Sequence, residues 1–383
     1  MAKLLNEKCL VIGEGGAGAE IIKTLHNLNS SLNTACVVAS NSEMNKIKEI
    51  EDKLDGLVRL DIDGTGKDTK KGYRQARSKR EELEELLNGY EHIIHIFGFG
   101  GGTGAGTALT ISQLNQEYNH IFAGPMPSFD EGRKILKNTI KNIGLLHKYG
   151  RFWPFDNNLN KSSLSYESIN QRIAREIDYV VELPNMSNWV KRDMDTGNIE
   201  DLLIPEQYVK KGAFMLKRFK VNELEKGVSL ENLMNRDDSV SYNIDNEIFE
   251  RAGYIIKLSK EQKLNKETEQ SIDRFREQLI DKLASPTIHE GIYKSESDYN
   301  ELIILFSGPK FTEEEIKEYQ NKLDNLEEQF NDTFINVDMS FNANINEELD
   351  FNDNKEETEE DLFAENNNNN EPNKEKEDEE FLL

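Results

Sequence analysis

Twice in the first third of this 383-residue chain, a short apolar run meets a glycine-rich turn and then a helical pattern. Leu10 to Ile12 leads into Gly13-Glu14-Gly15-Gly16-Ala17-Gly18, with a helix expected from about Ala19 to Leu28. Ile93 to Phe97 leads into Phe99-Gly100-Gly101-Gly102-Thr103-Gly104-Ala105-Gly106-Thr107, again ahead of a helical segment. Successive glycines let backbone N–H groups turn inward without a Cβ clash, and the helix N-terminus behind them adds partial positive charge. Each turn is built to cradle phosphate, and two of them in one domain are hard to explain as coincidental tight turns. Strand, turn and helix in this order predict an α/β fold.

Gly13, Gly15 and Gly18 fit the G-x-G-x-x-G fingerprint of dinucleotide-binding proteins. That fingerprint expects an acid at the tip of the second strand to hold a ribose hydroxyl. Here the second strand signal, Ala35 to Ala39, ends in Ser40-Asn41-Ser42, and Glu43 lies beyond the turn. An NAD-dependent Rossmann-type enzyme is therefore weakened and stands as an alternative.

Gly100 to Gly106 resembles the tubulin signature GGGTG[ST/A]G, and further motifs follow in the order of the nucleotide loops of the tubulin and FtsZ superfamily of GTPases, over residues 8 to 340. Among its branches the chain looks most like the bacterial plasmid and phage TubZ proteins. The resemblance implies a Rossmann-like GTP-binding domain with a parallel sheet (1–165), a long central helix (166–184) and a catalytic loop with a short helix (185–211). A smaller α/β C-terminal domain (212–345) and a disordered acidic tail (346–383) would follow.

By that resemblance, the first loop contributes Gly15, Gly16, Ala17 and Gly18, and the fourth contributes Gly100, Gly101, Gly102, Thr103, Gly104, Ala105 and Gly106. Together they would wrap the phosphates, with a hydroxyl and an amide from Thr103. Asn41 and Ser42 fall where the second loop reads Asn-Thr in FtsZ. Asp63-Gly64-Thr65-Gly66-Lys67-Asp68 resembles the third loop, which senses the γ-phosphate, and Gly64 and Gly66 around Thr65 would let it switch. Pro125 to Arg133 resembles the FtsZ pattern Pro-Phe-x-Phe-Glu-Gly and brings Glu131 near the ribose.

Base selection is expected next along the chain. Asp156-Asn157 resembles the Asp-Asn of tubulin's sixth loop, and Tyr166-x-x-x-Asn170 resembles the start of tubulin's central helix. Positions four apart share one helical face, so the Tyr166 ring can stack on guanine while Asn170 pairs with its polar edge. The interval from Asn157 to Tyr166 is about half that of tubulin or FtsZ, which leaves Asn158 as a substitute for Asn157. Ile169, Ile173, Ile177, Val180 and Val181 recur at helical spacing, so the helix reads from Tyr166 to Leu183, with Pro184 limiting it.

In the family, the loop beyond this helix supplies carboxylates to the nucleotide of the next subunit in a filament. Counting back from Gly212, Asn198-Ile199-Glu200 falls on the family's Asn-x-Asp. Glu200 would then orient the attacking water, with Asn198 and Asp201 beside it. Counting forward from Tyr166 favours Asp193-Met194-Asp195 instead, and both remain open. Phosphoryl transfer needs an in-line water and charge compensation, and Mg²⁺ would provide much of the latter. No ligand set for the ion is legible.

The rest of the chain reads as strands at Ala213 to Val221, Tyr254 to Leu258, Leu302 to Phe306 and Phe334 to Met339. Helices are expected over Lys266 to Leu283 and Thr312 to Phe330. Cys9 and Cys36 read as small buried residues, and the six His as scattered, with His92 and His95 on opposite faces of one strand.

The formal net charge is −25, and from residue 346 onward sixteen acidic residues face three lysines, a net of −13. Such a tail has too little apolar content to fold alone. It suits either a solvating brush or a docking strip for a basic partner, which in TubZ-type systems is a DNA-binding adaptor on a centromere. Nothing in it resembles the FtsZ peptide Asp-Ile-Pro-x-Phe-Leu, so an FtsZ-like division role ranks second to DNA segregation. No basic face for direct nucleic-acid binding and no membrane span are evident, and the expected location is the cytoplasm of a bacterial host.

Overall fold

A computed structural model describes residues 5–157, 165–203, 213–221, 224–234, 249–308 and 320–325. After a four-residue helix α1 (Leu5–Lys8), strand β1 (Cys9–Glu14), helix α2 (Gly15–Asn27) and strand β2 (Asn33–Val38) realise the first of the expected units. Then come α3 (Asn41–Ile47), β3 (Gly56–Arg59), α4 (Thr69–Ser78), α5 (Arg80–Leu87), β4 (His92–Ile96) and α6 (Thr103–Leu114). β5 (Asn119–Met126), α7 (Arg133–Leu146) and β6 (Gly150–Asp156) complete the half. The strands form one sheet in the order β3-β2-β1-β4-β5-β6, and every pairing is parallel.

The strand order reverses between β1 and β4, so their outgoing loops open onto one crevice at the carboxyl edge of the sheet. Those loops are the two glycine-rich turns.

The central helix α8 (Tyr166–Glu182) matches the periodic reading, with Ile169, Ile173, Ile177, Val180 and Val181 all fully buried. They join one apolar cluster that reaches Val11, Ile94 and Trp153 of the first sheet and Phe214, Ile255 and Ile303 of a second. The second sheet comprises β7 (Trp189–Lys191), β8 (Phe214–Val221), β9 (Phe249–Leu258), β10 (Leu283–Lys294) and β11 (Asn300–Ser307), in the order β7-β10-β9-β11-β8. It is mixed: β9 and β10 run parallel and the other pairs antiparallel. Helix α9 (Thr196–Leu203) lies between β7 and β8 in the chain, and α10 (Leu230–Met234) and α11 (Lys266–Lys282) follow.

In the first sheet β3, β5 and β6 have no counterpart among the expected strands, and in the second sheet two more escape the sequence reading. β7 spans three residues, and β10 carries Pro286, which has no N–H for a ladder; the register shifts between Leu283 and Thr287, where Pro286 falls. The expected strand at Phe334 to Met339, the Gly212 used as a counting mark, and the acidic tail lie outside the described residues. So does most of the helix expected over Thr312 to Phe330.

Candidate nucleotide site

Side-chain caps open three of the helices up to α8. Ser40 caps α3 in a reciprocal box with Glu43, Asp68 caps α4, and Ser165 caps α8. Helices α2, α5, α6 and α7 have none; at α2 the capping residue Glu14 accepts no first-turn amide, and at α6 it is Gly102, which has no side chain. An uncapped first turn presents backbone N–H groups and the positive end of the helix dipole. The first turns of α2 and α6 abut, because a Cβ added at Gly15 would lie 3.1 Å from Thr103 Cβ and 3.2 Å from the Gly104 amide nitrogen. The approach demands glycine at Gly18 too, where a Cβ would stand 2.1 Å from the Ile96 carbonyl oxygen.

Helix α7 orients the fourth loop through contacts that carry no sequence signal. Asn142 donates to the carbonyls of Phe99 (2.7 Å) and Gly101 (3.3 Å), and Asn138 to those of Gly100 (3.3 Å) and Lys67 (2.6 Å). With these carbonyls held toward α7, the loop is fixed from behind.

The third loop folds over the fourth. Its backbone takes positive φ at Gly64 (83°), Gly66 (60°) and Lys67 (63°), the last an uncommon conformation for a non-glycine residue. Three ammonium groups hold loop carbonyls: Lys71 to Gly64 (3.0 Å), Lys134 to Gly66 (2.7 Å) and Lys46 to Gly16 of the first loop (3.1 Å). The Thr65 and Thr103 hydroxyls lie 3.3 Å apart, and Thr103 is 3.5 Å from Glu43 Oε1. Glu43 is another residue the sequence reading passed over. Its other oxygen accepts from the amides of Ala39 (2.6 Å) and Ser40 (3.3 Å), so the acid nearest the tip of β2 caps α3.

The remaining expected positions fall as follows. Asn41 lies at the start of α3 and accepts from Arg59 at 2.5 Å. Glu131 accepts from the Ser128 amide at 3.0 Å, in the turn after β5. Asn157 is buried just past β6. Tyr166 and Asn170 sit one turn apart at the start of α8, and the Tyr166 ring is 54 % exposed, a large aromatic left on the surface. Asn158 lies outside the described residues.

Asn198, Glu200 and Asp201 lie on α9 rather than in a loop. Glu200 Oε1 is 3.2 Å from Lys8 Nζ and 3.1 Å from His92 Nε2. Lys8 immediately precedes β1 and His92 opens β4, so Glu200 sits at the amino edge of the same two strands whose carboxyl ends carry the cradles. Asp201 is held by Arg251 (3.1 Å) and His289 (2.7 Å). Asn198 and Asp195 exchange hydrogen bonds at the start of α9, and Asp193 is exposed just before it. Glu91, His92 and Glu200 are close enough to share a cation, but Lys8 lies 3.3 Å from Glu91 and 3.2 Å from Glu200 and already provides the positive charge.

The histidines are less scattered than the sequence suggests. His95 Nδ1 lies 2.9 Å from Glu14 Oε1, and its Nε2 lies 3.0 Å from His120 Nδ1, all three being buried. Burial drives the Glu14 carboxyl well above the ordinary carboxylate range and the His95 imidazole down to about 3. Cys9 and Cys36 are buried as expected, their thiols pushed up to about 12.

A six-stranded parallel sheet with phosphate-type loops at its carboxyl edge, joined by a long helix to a smaller sheet, is the fold of the tubulin/FtsZ class. No protein-family model matches the sequence. The chain is 25 % identical over 219 residues to cell division protein FtsZ 2 of Haloferax volcanii, which covers 52 % of this chain and 54 % of that relative. The chain thus spans about half the length of that curated relative. A GTPγS-bound protofilament of CetZ2 from Haloferax volcanii superposes with a TM-score of 0.67 at 18 % identity, covering 84 % of this chain and 99 % of that one. A GTPγS-form protofilament of TubZ from Bacillus thuringiensis serovar israelensis gives 0.68 at 15 %, covering 86 % and 93 %. Among the described residues, no helix is long and apolar enough to cross a membrane.

Proposed function

We propose that this chain is a tubulin-type GTPase that assembles head to tail and completes its hydrolytic site at each junction. One observation carries the reading: β1 and β4 lead into the two cradles at their carboxyl ends, and Glu200 of α9 lies against their amino ends. The named neighbours with the same fold are nucleotide-bound protofilaments, which supports both the ligand and the assembly.

In this reading the first turns of α2 and α6 bind the phosphates, Thr65 and Thr103 add hydroxyls, and the third loop reports the γ-phosphate. Tyr166 stacks on the base, Asn157 and Asn170 read its edge, and Glu131 approaches the ribose. Glu200 of an adjacent copy orients the attacking water, with Asp193 and Asp195 the competing choice. The oxygens of Thr65, Thr103 and Glu43 are hard donors of the kind Mg²⁺ takes, and the ion would compensate charge on the phosphates.

The biological role we propose is segregation of plasmid or phage DNA, with the acidic tail docking a basic DNA-bound adaptor. The curated relative being a cell division protein favours a second reading, an FtsZ-like division GTPase. Pelleting and light scattering with GTP, GTPγS and ATP test the chemistry: assembly with the guanine nucleotides alone is expected, and a protein that stays monodisperse with all three refutes it. A fluorescent fusion in the host separates the roles, since filaments moving with an extrachromosomal element support segregation and a midcell ring supports division.

A further inference from the structure

Glu14 occupies the variable place between two glycines of the first loop, yet its side chain turns inward under the sheet and is wholly buried. From it a file of contacts crosses three strands: Glu14 Oε1 to His95 Nδ1 at 2.9 Å, His95 Nε2 to His120 Nδ1 at 3.0 Å, and His120 Nε2 to the Asn115 carbonyl at 2.9 Å.

The last link fixes the direction of all the others. A carbonyl oxygen only accepts, so His120 Nε2 carries the hydrogen, and in a neutral ring its Nδ1 is an acceptor. His95 must then donate from Nε2, and because burial holds its imidazole neutral, with a pKa lowered to about 3, it accepts at Nδ1. The atom facing that lone pair is a carboxyl oxygen, which can satisfy it only by donating, and a carboxylate has nothing to donate. Helix α6, which covers this face, contributes no charged side chain, and the nearest charges on α3 are occupied, Glu43 by the amides of Ala39 and Ser40 and Lys46 by Gly16 and Glu20.

We propose that Glu14 is a positioning residue that acts as a neutral carboxylic acid, the first donor of a one-way relay to His95, His120 and the Asn115 carbonyl that locks the two phosphate cradles to each other. Asn115 is the C-cap of α6, whose N-terminus is the second cradle, and Glu14 is the N-cap of α2, which opens the first. One chain of hydrogen bonds therefore ties the loop of one cradle to the far end of the helix behind the other. Neutrality also keeps a buried negative charge from lying beneath a site that accepts phosphate. The relay is independent of what binds above it; only its consequence for affinity rests on the proposed nucleotide.

Two measurements on the full-length protein test it. In a sample with ¹⁵N-labelled histidine, His95 and His120 are expected as neutral Nε2–H tautomers, with His95 staying neutral as pH falls through the ordinary histidine range. A resting His95 protonated on both nitrogens means that Glu14 is ionised and overturns the proposal. For the consequence, Glu14→Gln keeps a donor toward His95 and Glu14→Leu removes it, so GTPγS is expected to bind the Leu variant about tenfold more weakly than the Gln variant, equivalent to about 1.4 kcal/mol. Equal binding by the two folded variants overturns the positioning role. His120→Phe breaks the relay remotely and is expected to repeat the loss if Glu14→Leu does not fold. If the unaltered protein binds no guanine nucleotide while the tautomers are as stated, the functional reading fails and the relay stands.

Discussion

Replacing Glu14 by Gln should change how stability depends on pH, and the change has a definite sign. The folded carboxyl is raised well above its ordinary value near 4.5 by burial, while the unfolded one ionises there. Above pH 4.5 the folded chain thus holds a proton that the unfolded chain has released, and stability falls as pH rises, by about 1.4 kcal/mol per unit while the folded carboxyl stays protonated. His95 works the other way. Its folded value is about 3 against 6.5 unfolded, so it stabilises above pH 6.5 and that contribution is lost as pH falls toward 3. Between pH 4.5 and 6.5 the two slopes oppose each other in the natural chain. Removing the Glu14 term leaves the His95 slope uncovered, and the variant should lose about 2.7 kcal/mol on going from pH 6.5 to 4.5 through that histidine. Relative to the natural chain the variant should gain stability as pH rises above 4.5, by about 1.4 kcal/mol per unit while the folded Glu14 carboxyl stays protonated. Urea unfolding of nucleotide-free protein, read by the fluorescence of fully buried Trp153, measures both, and the difference between the chains cancels every other titrating group. A difference independent of pH would show Glu14 ionised in the fold and refute the reasoning.

Two further outcomes follow from the packing around the cradle. Gly106→Ala would place a methyl 2.4 Å from the Tyr73 amide nitrogen, where α4 and α6 touch by backbone, so a loss of about 1–3 kcal/mol in urea unfolding is expected with nucleotide affinity reduced alongside. Replacing both Lys71 and Lys134 by Ala releases the carbonyls of Gly64 and Gly66, and GTPγS affinity measured by fluorescence should fall about tenfold while that for GDP changes less.

Much of this architecture was legible because the sequence carried strong local signals. The two glycine runs each sit between an apolar run and a helical pattern, which is what a strand–helix junction looks like, and the Ile169 to Val181 stripe recurs at the spacing of a buried helix face. β10 was not legible, since Pro286 and Gly291 break its pattern and its stability comes from neighbours on both sides. Nor was the relay: Glu14, His95 and His120 lie on different strands and meet only through a register that pairs Ile12 with His95 and His95 with Phe122. Asn138 and Asn142 look like surface amides of α7 until the loop they hold is in view. The role of Glu200 could be read only as a resemblance, because its neighbours Lys8 and His92 belong to the other half of the chain.

The position of Glu200 has a consequence that a mixing experiment can read. β1 spans six residues, and at about 3.3 Å per residue its two ends are roughly 20 Å apart, too far for the Glu200 carboxylate to serve the cradle of its own chain. A copy stacked along the strand direction would bring it to the next cradle, and such a head-to-tail contact uses two different surfaces and repeats without closing. Glu200→Gln would then have a sound cradle and no activating carboxylate, while Thr65→Val would have the carboxylate and a cradle short of one hydroxyl. Each alone should hydrolyse GTP slowly. In an equal mixture, random head-to-tail order pairs a sound cradle with a sound carboxylate at about one junction in four, so turnover should recover to about one quarter of the natural rate. A site contained within one chain gives no recovery at any ratio. Recovery with Asp193→Asn in place of Glu200→Gln, and normal turnover by Glu200→Gln alone, would move the catalytic role to the loop before α9.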